Sequence, residues 1–302
     1  MAQLAVSLGK LKLPNPVLTA SGAFGFGEEY QALLPLKRLG GIITKTITLN
    51  PREGNPPPRI AETDQGMLNS IGLENPGLNT FLRRKLPGLQ KIGIPVIVSI
   101  AGDKPGEFAA LCRRLNRTAA ISAIELNISC PNLGKSGLIA QDARSVYQVV
   151  KAAKKTTRLP LITKLSPNVT DIGAIARAAR DAGTNILSLV NTFFALAVDI
   201  KTQRPKLGNV TGGLSGPAIK PQALWMVRRV FKATGLPIIG MGGIMNTEDA
   251  LEFILCGSSA VACGTANFVN PQTAVEILDG IKKYLARRRI KRFKQLIGAL
   301  KK

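Results

Sequence analysis

The chain has 302 residues, 45% of them hydrophobic, with 41 Lys and Arg against 18 Asp and Glu and a formal net charge of +23. That length allows one large α/β domain or two ordinary ones, and the apolar content is ample for a sizeable core. There is no histidine, and the four cysteines (Cys112, Cys130, Cys256 and Cys263) include no Cys-x-x-Cys pair; this excludes a Ser-His-Asp or Cys-His arrangement and argues against a zinc site or an iron–sulfur cluster held by this polypeptide alone.

Residues 1–14 lack a long apolar run followed by a small-residue cleavage site, so no signal peptide is expected. Short apolar runs at 4–6 and 11–13, joined near Gly9, predict a hairpin that caps a barrel floor. From there, short and mostly apolar β-branched runs lie at 16–19, 41–45, 96–100, 123–128, 161–165, 186–190, 237–240 and 260–263. Helical patterns alternate with them, for example at 106–116, 143–154, 171–182, 221–232, 247–255 and 271–284. Thr247 followed by Glu248 and Asp249 puts negative charge at a helix start, where the macrodipole favours it. Continuous apolar strands imply burial on both faces, the pattern of a parallel sheet.

Eight such strands alternating with helices predict a closed (β/α)8 TIM barrel with an N-terminal β-hairpin. A doubly wound sheet is the alternative, but its expected Gly-rich turn after the first strand finds only a loose match at 21–27. No linker divides the chain, so residues 1–302 are read as one domain. The most apolar segment, 186–200, is too short to span a bilayer. A cytoplasmic protein that does not associate with membranes is expected. The basic excess is partly local: ten basic residues and no acidic one lie between Lys282 and Lys302. We read this run as a solvated, basic terminal helix, with a docking surface for an acidic partner or RNA as the alternative.

In such a barrel the C-terminal strand ends share one mouth. In chain order they carry Ser21-Gly22, Lys45-Thr46, Ser99, Asn127 with Cys130, Lys164, Asn191-Thr192, Gly242-Gly243 and Gly264-Thr265. Loops after the last two strands commonly hold a phosphate, because glycines let backbone N–H groups approach the anion. A lysine beside a flavin pyrimidine ring would stabilise the charge of the reduced flavin. Asn69, Asn127 and Asn191 each donate and accept, which suits the carbonyl and N–H edge of a pyrimidine. Any one of them alone is more simply a turn residue; the set carries the argument. Cys130 stands in a strand-to-loop junction between two carboxamides, where chemistry commonly sits. Cys112, Cys256 and Cys263 are read as small buried apolar residues.

These residues resemble a known family. NPVLTASGAFGFGEEY (15–30), TKTITLNPREGNPPPRIAET (44–63), MLNSIGLENPGL (67–78), ELNISCPN (125–132), TKLSPNV (163–169), LVNT (189–192), KTQRPKLGNVTGGLSGPAIKP (201–221), IIGMGGI (238–244) and GTANF (264–268) resemble class 1 dihydroorotate dehydrogenase. The similarity is greatest to the catalytic subunit of its NAD-linked subclass B. The resemblance implies a flavin barrel with FMN at the C-terminal face of the strands. It also implies oxidation of dihydroorotate to orotate in pyrimidine biosynthesis. Cys130 matches the base that removes a proton from carbon five while hydride leaves carbon six. Lys45, Asn69, Ser70, Ile71, Gly72, Leu73, Asn127, Asn191 and Thr192 match substrate contacts.

The flavin contacts match Ser21, Lys45, Thr46, Ser99, Asn127, Lys164, Val190, Gly216, Gly242, Gly243, Gly264 and Thr265; at 99 a serine stands where some relatives carry asparagine. The resemblance further implies a catalytic homodimer joined by a subunit carrying FAD and a 2Fe–2S cluster into a heterotetramer, with NAD as final acceptor. No metal site is expected. Alternatives within enzymes are a dihydropyrimidine dehydrogenase-like barrel or a fumarate-linked dihydroorotate oxidase. From another class, the basic charge suggests an RNA-binding flavoprotein such as a dihydrouridine synthase. That family adds a separate helical RNA-binding domain, for which 287–302 leaves little room, and nucleic acid is not expected as a partner.

Overall fold

The computed structural model describes residues 2–129 and 139–301. A hairpin of β1 (Val6–Leu8) and β2 (Leu11–Leu13) leads into β3 (Val17–Thr19) and β4 (Gly41–Ile43). A second hairpin, β5 (Ile60–Thr63) and β6 (Gly66–Asn69), precedes β7 (Val96–Ile100), β8 (Ala123–Asn127), β9 (Leu161–Lys164) and β10 (Ile186–Leu189). Then come β11 (Phe193–Leu196), β12 (Val198–Asp199), β13 (Arg204–Pro205), β14 (Thr211–Ser215), β15 (Ile238–Gly240) and β16 (Ala260–Cys263). Strands β3, β4, β7, β8, β9, β10, β15 and β16 close into a parallel barrel, sealed where Val261 pairs with Val17. The eight expected strands are thus present, and closure rules out the doubly wound alternative.

Every residue of β7 and β8 is buried, because side chains of one face fill the barrel and those of the other meet the helices. The surrounding helices are α1 (Gly77–Thr80), α2 (Leu86–Ile92), α3 (Pro105–Leu115), α4 (Ala143–Lys154), α5 (Ile172–Asp181), α6 (Lys220–Thr234), α7 (Thr247–Cys256), α8 (Ala266–Val269) and α9 (Thr273–Arg287). Side chains cap several of their N-termini: Asp142 accepts from the Ser145 N–H and Asp171 from the Gly173 N–H. At α7 the acids do more than meet a dipole. Asn246 and Asp249 form a reciprocal capping box, and buried Asp249 also pairs with Lys220. Two of the otherwise orphaned donors at that helix start are satisfied in this way.

The opening hairpin lies at the floor. Burial and then the charge of Lys10 lower the Lys154 pKa, and Lys154 ends α4 at the end of the barrel opposite the mouth. Val6, Leu8, Leu11 and Leu13 join the main core.

Three regions depart from the sequence expectation. Residues 77–92 form a continuous helical stretch, α1 and α2 joined by a π-helical segment, Phe81–Lys85. Pro87 falls in the first turn of α2, straight after the π-helical segment, whose wider turn accommodates a residue with no N–H to donate to the preceding turn. Strands β11, β14, β6 and β5 form a four-stranded antiparallel sheet outside the barrel. Finally, the basic C-terminal run is not one helix. Helix α9 stops at Arg287, Arg289 takes φ 54°, and the chain turns back. Gln3 pairs with Arg292 in an isolated bridge, and fully buried Phe293 enters the core. One aromatic side chain outweighs the helical preference of its basic neighbours, because its burial contributes about 2–3 kcal/mol.

Candidate active site

The mouth is knitted by short polar side chains from different strands. Asn127, at the end of β8, donates from Nδ2 to Thr46 Oγ1 at 3.1 Å. The Thr46 hydroxyl in turn lies 2.9 Å from Ser99 Oγ. On its other side, Asn127 Oδ1 accepts from Ser129 Oγ at 3.0 Å and from Asn191 Nδ2 at 3.5 Å. Asn191 also donates to Ser129 Oγ. Thr46, Ser99, Asn127 and Ser129 are buried, and because each polar group has a partner the cluster is rigid rather than costly. Thr46, linked in turn to Ser99, supports Asn127 through its hydroxyl.

Lys164, which ends β9, is only 5% exposed and donates to Ser21 Oγ at 3.1 Å. An ammonium has three donors, so this leaves capacity for a ligand edge. Burial lowers its pKa, and the charge of Glu125 opposes that shift. Lys45 is half-buried, its backbone N–H bonded to Gly25 O at 2.7 Å. No ion pair or side-chain hydrogen bond engages its ammonium among the described residues.

Opposite the amides the backbone loops converge. Gly243 has φ +81°, and a Cβ there would come within 2.8 Å of Lys220 Cβ and 2.9 Å of Gly216 O. Only glycine lets this loop lie against the start of α6. At Gly242 a Cβ would crowd Val190 at 3.1 Å, which places Val190 beside the same loop. Thr265 Oγ1 donates to Ser215 Oγ at 2.8 Å. Beside Gly264 there is space: a Cβ would meet only Ala20, at 3.7 Å. Glycine loops with exposed backbone donors near a helix start suit an anion such as a phosphate.

Asn69 ends β6, pairs with Gly213 and donates to its carbonyl at 3.2 Å. A Cβ on Gly213 would strike the Thr192 side chain, so Asn69, Gly213 and Thr192 are neighbours. The following segment is held from another side. Ser70 Oγ accepts from Asn55 Nδ2 at 2.9 Å, and Ile71 O accepts from the Asn55 N–H at 3.1 Å. Gly72 (φ +72°) packs on Asn55 so closely that a Cβ would come within 2.5 Å of its side chain, and Leu73 takes φ 54°. Residues 70–73 are thus joined to the 52–59 stretch and reach the mouth through Asn69.

Cys130 falls outside the described residues. Burial pushes the thiols of Cys112 and Cys263 up to about 12, as befits packing residues. Among the described residues no group of three or more His, Cys, Asp or Glu side chains could hold a metal ion. A shallow depression of about 860 Å³ lies on the outer sheet, lined by Glu62, Asp199 and Arg204 among others. It holds none of the strand-end residues, and the chemistry belongs with the mouth.

Sequence reasoning missed three residues here: Ser129, which joins two asparagines; Ser215, the partner of Thr265; and Glu125, a carboxylate fully buried inside β8. The signal for the last was on view, since a lone acid in a continuous apolar strand is never there for solvation.

A family-wide profile described as dihydroorotate dehydrogenase matches residues 3–285. Three relatives share the name "Dihydroorotate dehydrogenase B (NAD(+)), catalytic subunit". The one from Desulforamulus reducens is 52% identical over 297 residues, covering 98% of each chain. That from Trichlorobacter lovleyi is 50% identical over 298 residues, again 98% of each. That from Thermoanaerobacter pseudethanolicus is 48% identical over 299 residues, 99% of each.

Proposed function

Because the chain belongs to the dihydroorotate dehydrogenase family, we propose that it oxidises dihydroorotate to orotate in pyrimidine (UMP) biosynthesis, as the catalytic subunit of an NAD-linked form B enzyme. The observation that carries this reading is the linked cluster of Asn127, Asn191, Ser129 and Thr46 at the same strand ends as the buried, under-committed Lys164. That arrangement suits a pyrimidine ring and an electron-rich cofactor edge. A cytoplasmic location is part of the reading; no helix among the described residues is long and apolar enough to cross a membrane.

The residues present fit FMN. The loops at Gly216, Gly242, Gly243, Gly264 and Thr265 would hold its phosphate, and Lys164, Ser21, Val190 and Asn127 its ring system, with Thr46 and Ser99 bracing Asn127. When bound, FMN supplies the acceptor for a hydride. The chain does the rest. Asn69, Asn127, Asn191 and Thr192, with residues 70–73, hold the substrate ring through groups that both donate and accept. Lys45 bears on substrate and cofactor together. Cys130 takes the proton from carbon five as a thiolate, a form that nearby cations favour, and Lys45 and Lys164 are the cations available.

The two electrons must then leave the site. We infer a partner subunit carrying FAD and a 2Fe–2S cluster that passes them to NAD, in a heterotetramer built on a catalytic homodimer. The relatives' names, with "catalytic subunit" and "NAD(+)", support a partner. Ile60, Phe194, Leu196, Val198, Ile200 and Val210, all large and exposed on the outer sheet and its adjoining segments, support the homodimer, since such patches mark interaction sites. Rapid turnover of the isolated chain with fumarate would overturn the NAD-linked reading.

The test is a visible spectrum before and after anaerobic addition of dihydroorotate. We expect a yellow protein that bleaches. Cys130→Ser should keep its colour and bleach about 100-fold more slowly or worse at neutral pH, the scale of a lost general base. An undiminished rate in that variant would refute the role of Cys130, and a colourless preparation that FMN cannot reconstitute would refute the reading as a whole.

A further inference from the structure

The eight barrel strands carry three ionisable side chains: Glu125 on β8, Lys164 on β9 and Cys263 on β16. Glu125 is fully shielded from solvent. Its Oε2 accepts a hydrogen bond from Ser188 Oγ at 2.9 Å, while Oε1 has no hydrogen-bond partner among the described residues. The strand register fixes where this carboxylate lies. Strand β9 separates β8 from β10. Asn127 pairs with Lys164 across β8 and β9, and Ser188 pairs with Lys164 across β9 and β10.

Paired residues of neighbouring strands share a face, as do residues two apart on one strand. Glu125, Asn127, Lys164 and Ser188 therefore all face the barrel interior. To reach Ser188 from β8, the Glu125 side chain crosses β9 on that face, one step below Lys164.

An uncompensated charge in such an interior costs several kcal/mol. Among the described residues Lys164 has one hydroxyl partner and no ion pair, and the strands packed around Glu125 contribute Ser99, Lys164 and Ser188 but no second charge. Lys45 follows β4, which is not adjacent to β8, and Cys130 lies outside the described residues. Resting on the flavin-enzyme reading above, we propose that Glu125 is a positioning residue: held beneath Lys164 by the strand register and the Ser188 hydroxyl, its carboxylate supplies the counter-charge that keeps the ammonium protonated once a ring covers it. The direction of its influence on Lys164, against the effect of burial, agrees. A neutral amine at this place would forfeit most of the stabilisation of developing negative charge.

The test is a cycle of Glu125→Gln, Lys164→Met and the double variant, read in two ways. The first is thermal stability as a function of pH. A buried lysine with a lowered pKa holds fewer protons folded than unfolded, so stability rises with pH between its folded and unfolded values. In Glu125→Gln that rise should begin about one pH unit lower, the effect of losing one nearby opposite charge. In Lys164→Met the rise should shrink to the share that Lys154 contributes, and adding Glu125→Gln should shift nothing. The second reading is anaerobic bleaching by dihydroorotate, whose alkaline limb should move down by about the same unit.

An unmoved stability profile in Glu125→Gln, or a shift that persists in the Lys164→Met background, overturns the proposal. The expected stability cycle together with a wild type that dihydroorotate does not bleach would keep the counter-ion and sink the functional reading. Should Glu125→Gln fail to fold, Ser188→Ala takes its place. It removes the hydroxyl that holds the carboxylate in place beneath Lys164, and should move the profile the same way by less; no movement overturns the proposal.

Discussion

At the scale of single residues, Asn127 has the largest share of the mouth's organisation. It engages Thr46 with its amide nitrogen and both Ser129 and Asn191 with its oxygen. Asn127→Ala would leave two buried hydroxyls, Thr46 and Ser129, and the half-buried Asn191 each one partner short, at about 1 kcal/mol for each buried group. We expect about 2–3 kcal/mol less stability in urea unfolding and at least tenfold weaker orotate binding by titration; a variant that binds orotate undiminished would show that the amide braces the strand ends without touching the ring. Asn127, Asn191 and Lys164 were legible in the sequence because polar residues closing apolar strands are conspicuous. Ser129 and Ser215 were not. A serine beside a loop is ordinary until the backbone shows what it reaches, and no spacing rule brings β8 together with the residues after β10.

At the scale of elements, legibility followed burial. Strands such as β7, read as 96–100, were recovered to the residue because both faces are covered and the apolar run is unbroken. Strand β14 was missed because Thr-Gly-Gly-Leu-Ser has little intrinsic preference for a strand. It is extended only because β6 and β11 pair with it on either side. The stretch 77–92 was missed because Pro87 and Gly88 look like breakers, and the chain passes them by a π-helical segment. The outer sheet yields a prediction of its own. Leu196 and Ile200 are 53% and 84% exposed, and if this patch joins two copies, Leu196→Lys with Ile200→Lys should turn a dimer into a monomer in sedimentation velocity. Anaerobic bleaching should survive the change. A dimer that persists would move the interface elsewhere on the surface.

At the scale of the whole molecule, part of the basic excess lies at the floor. Helices α4, α5, α6 and α9 each carry Lys or Arg in the last turn, where cations meet the negative end of the helix dipole. The tail adds Lys291, Arg292 and Lys294 beside Gln3. Non-specific retention of tRNA should therefore be weak and disappear as salt is raised through about 0.2 M, by counterion release, while bleaching by dihydroorotate proceeds unchanged. Retention that outlasts such salt would favour an RNA substrate. The amide and hydroxyl cluster at the other end has a further consequence. None of Thr46, Ser99, Asn127, Ser129 and Asn191 gains or loses a proton in water near neutrality, so the grip these groups exert on a ring is insulated from acidity. Swings in pH would then alter how fast the bound molecule reacts and scarcely change how firmly that cluster holds it.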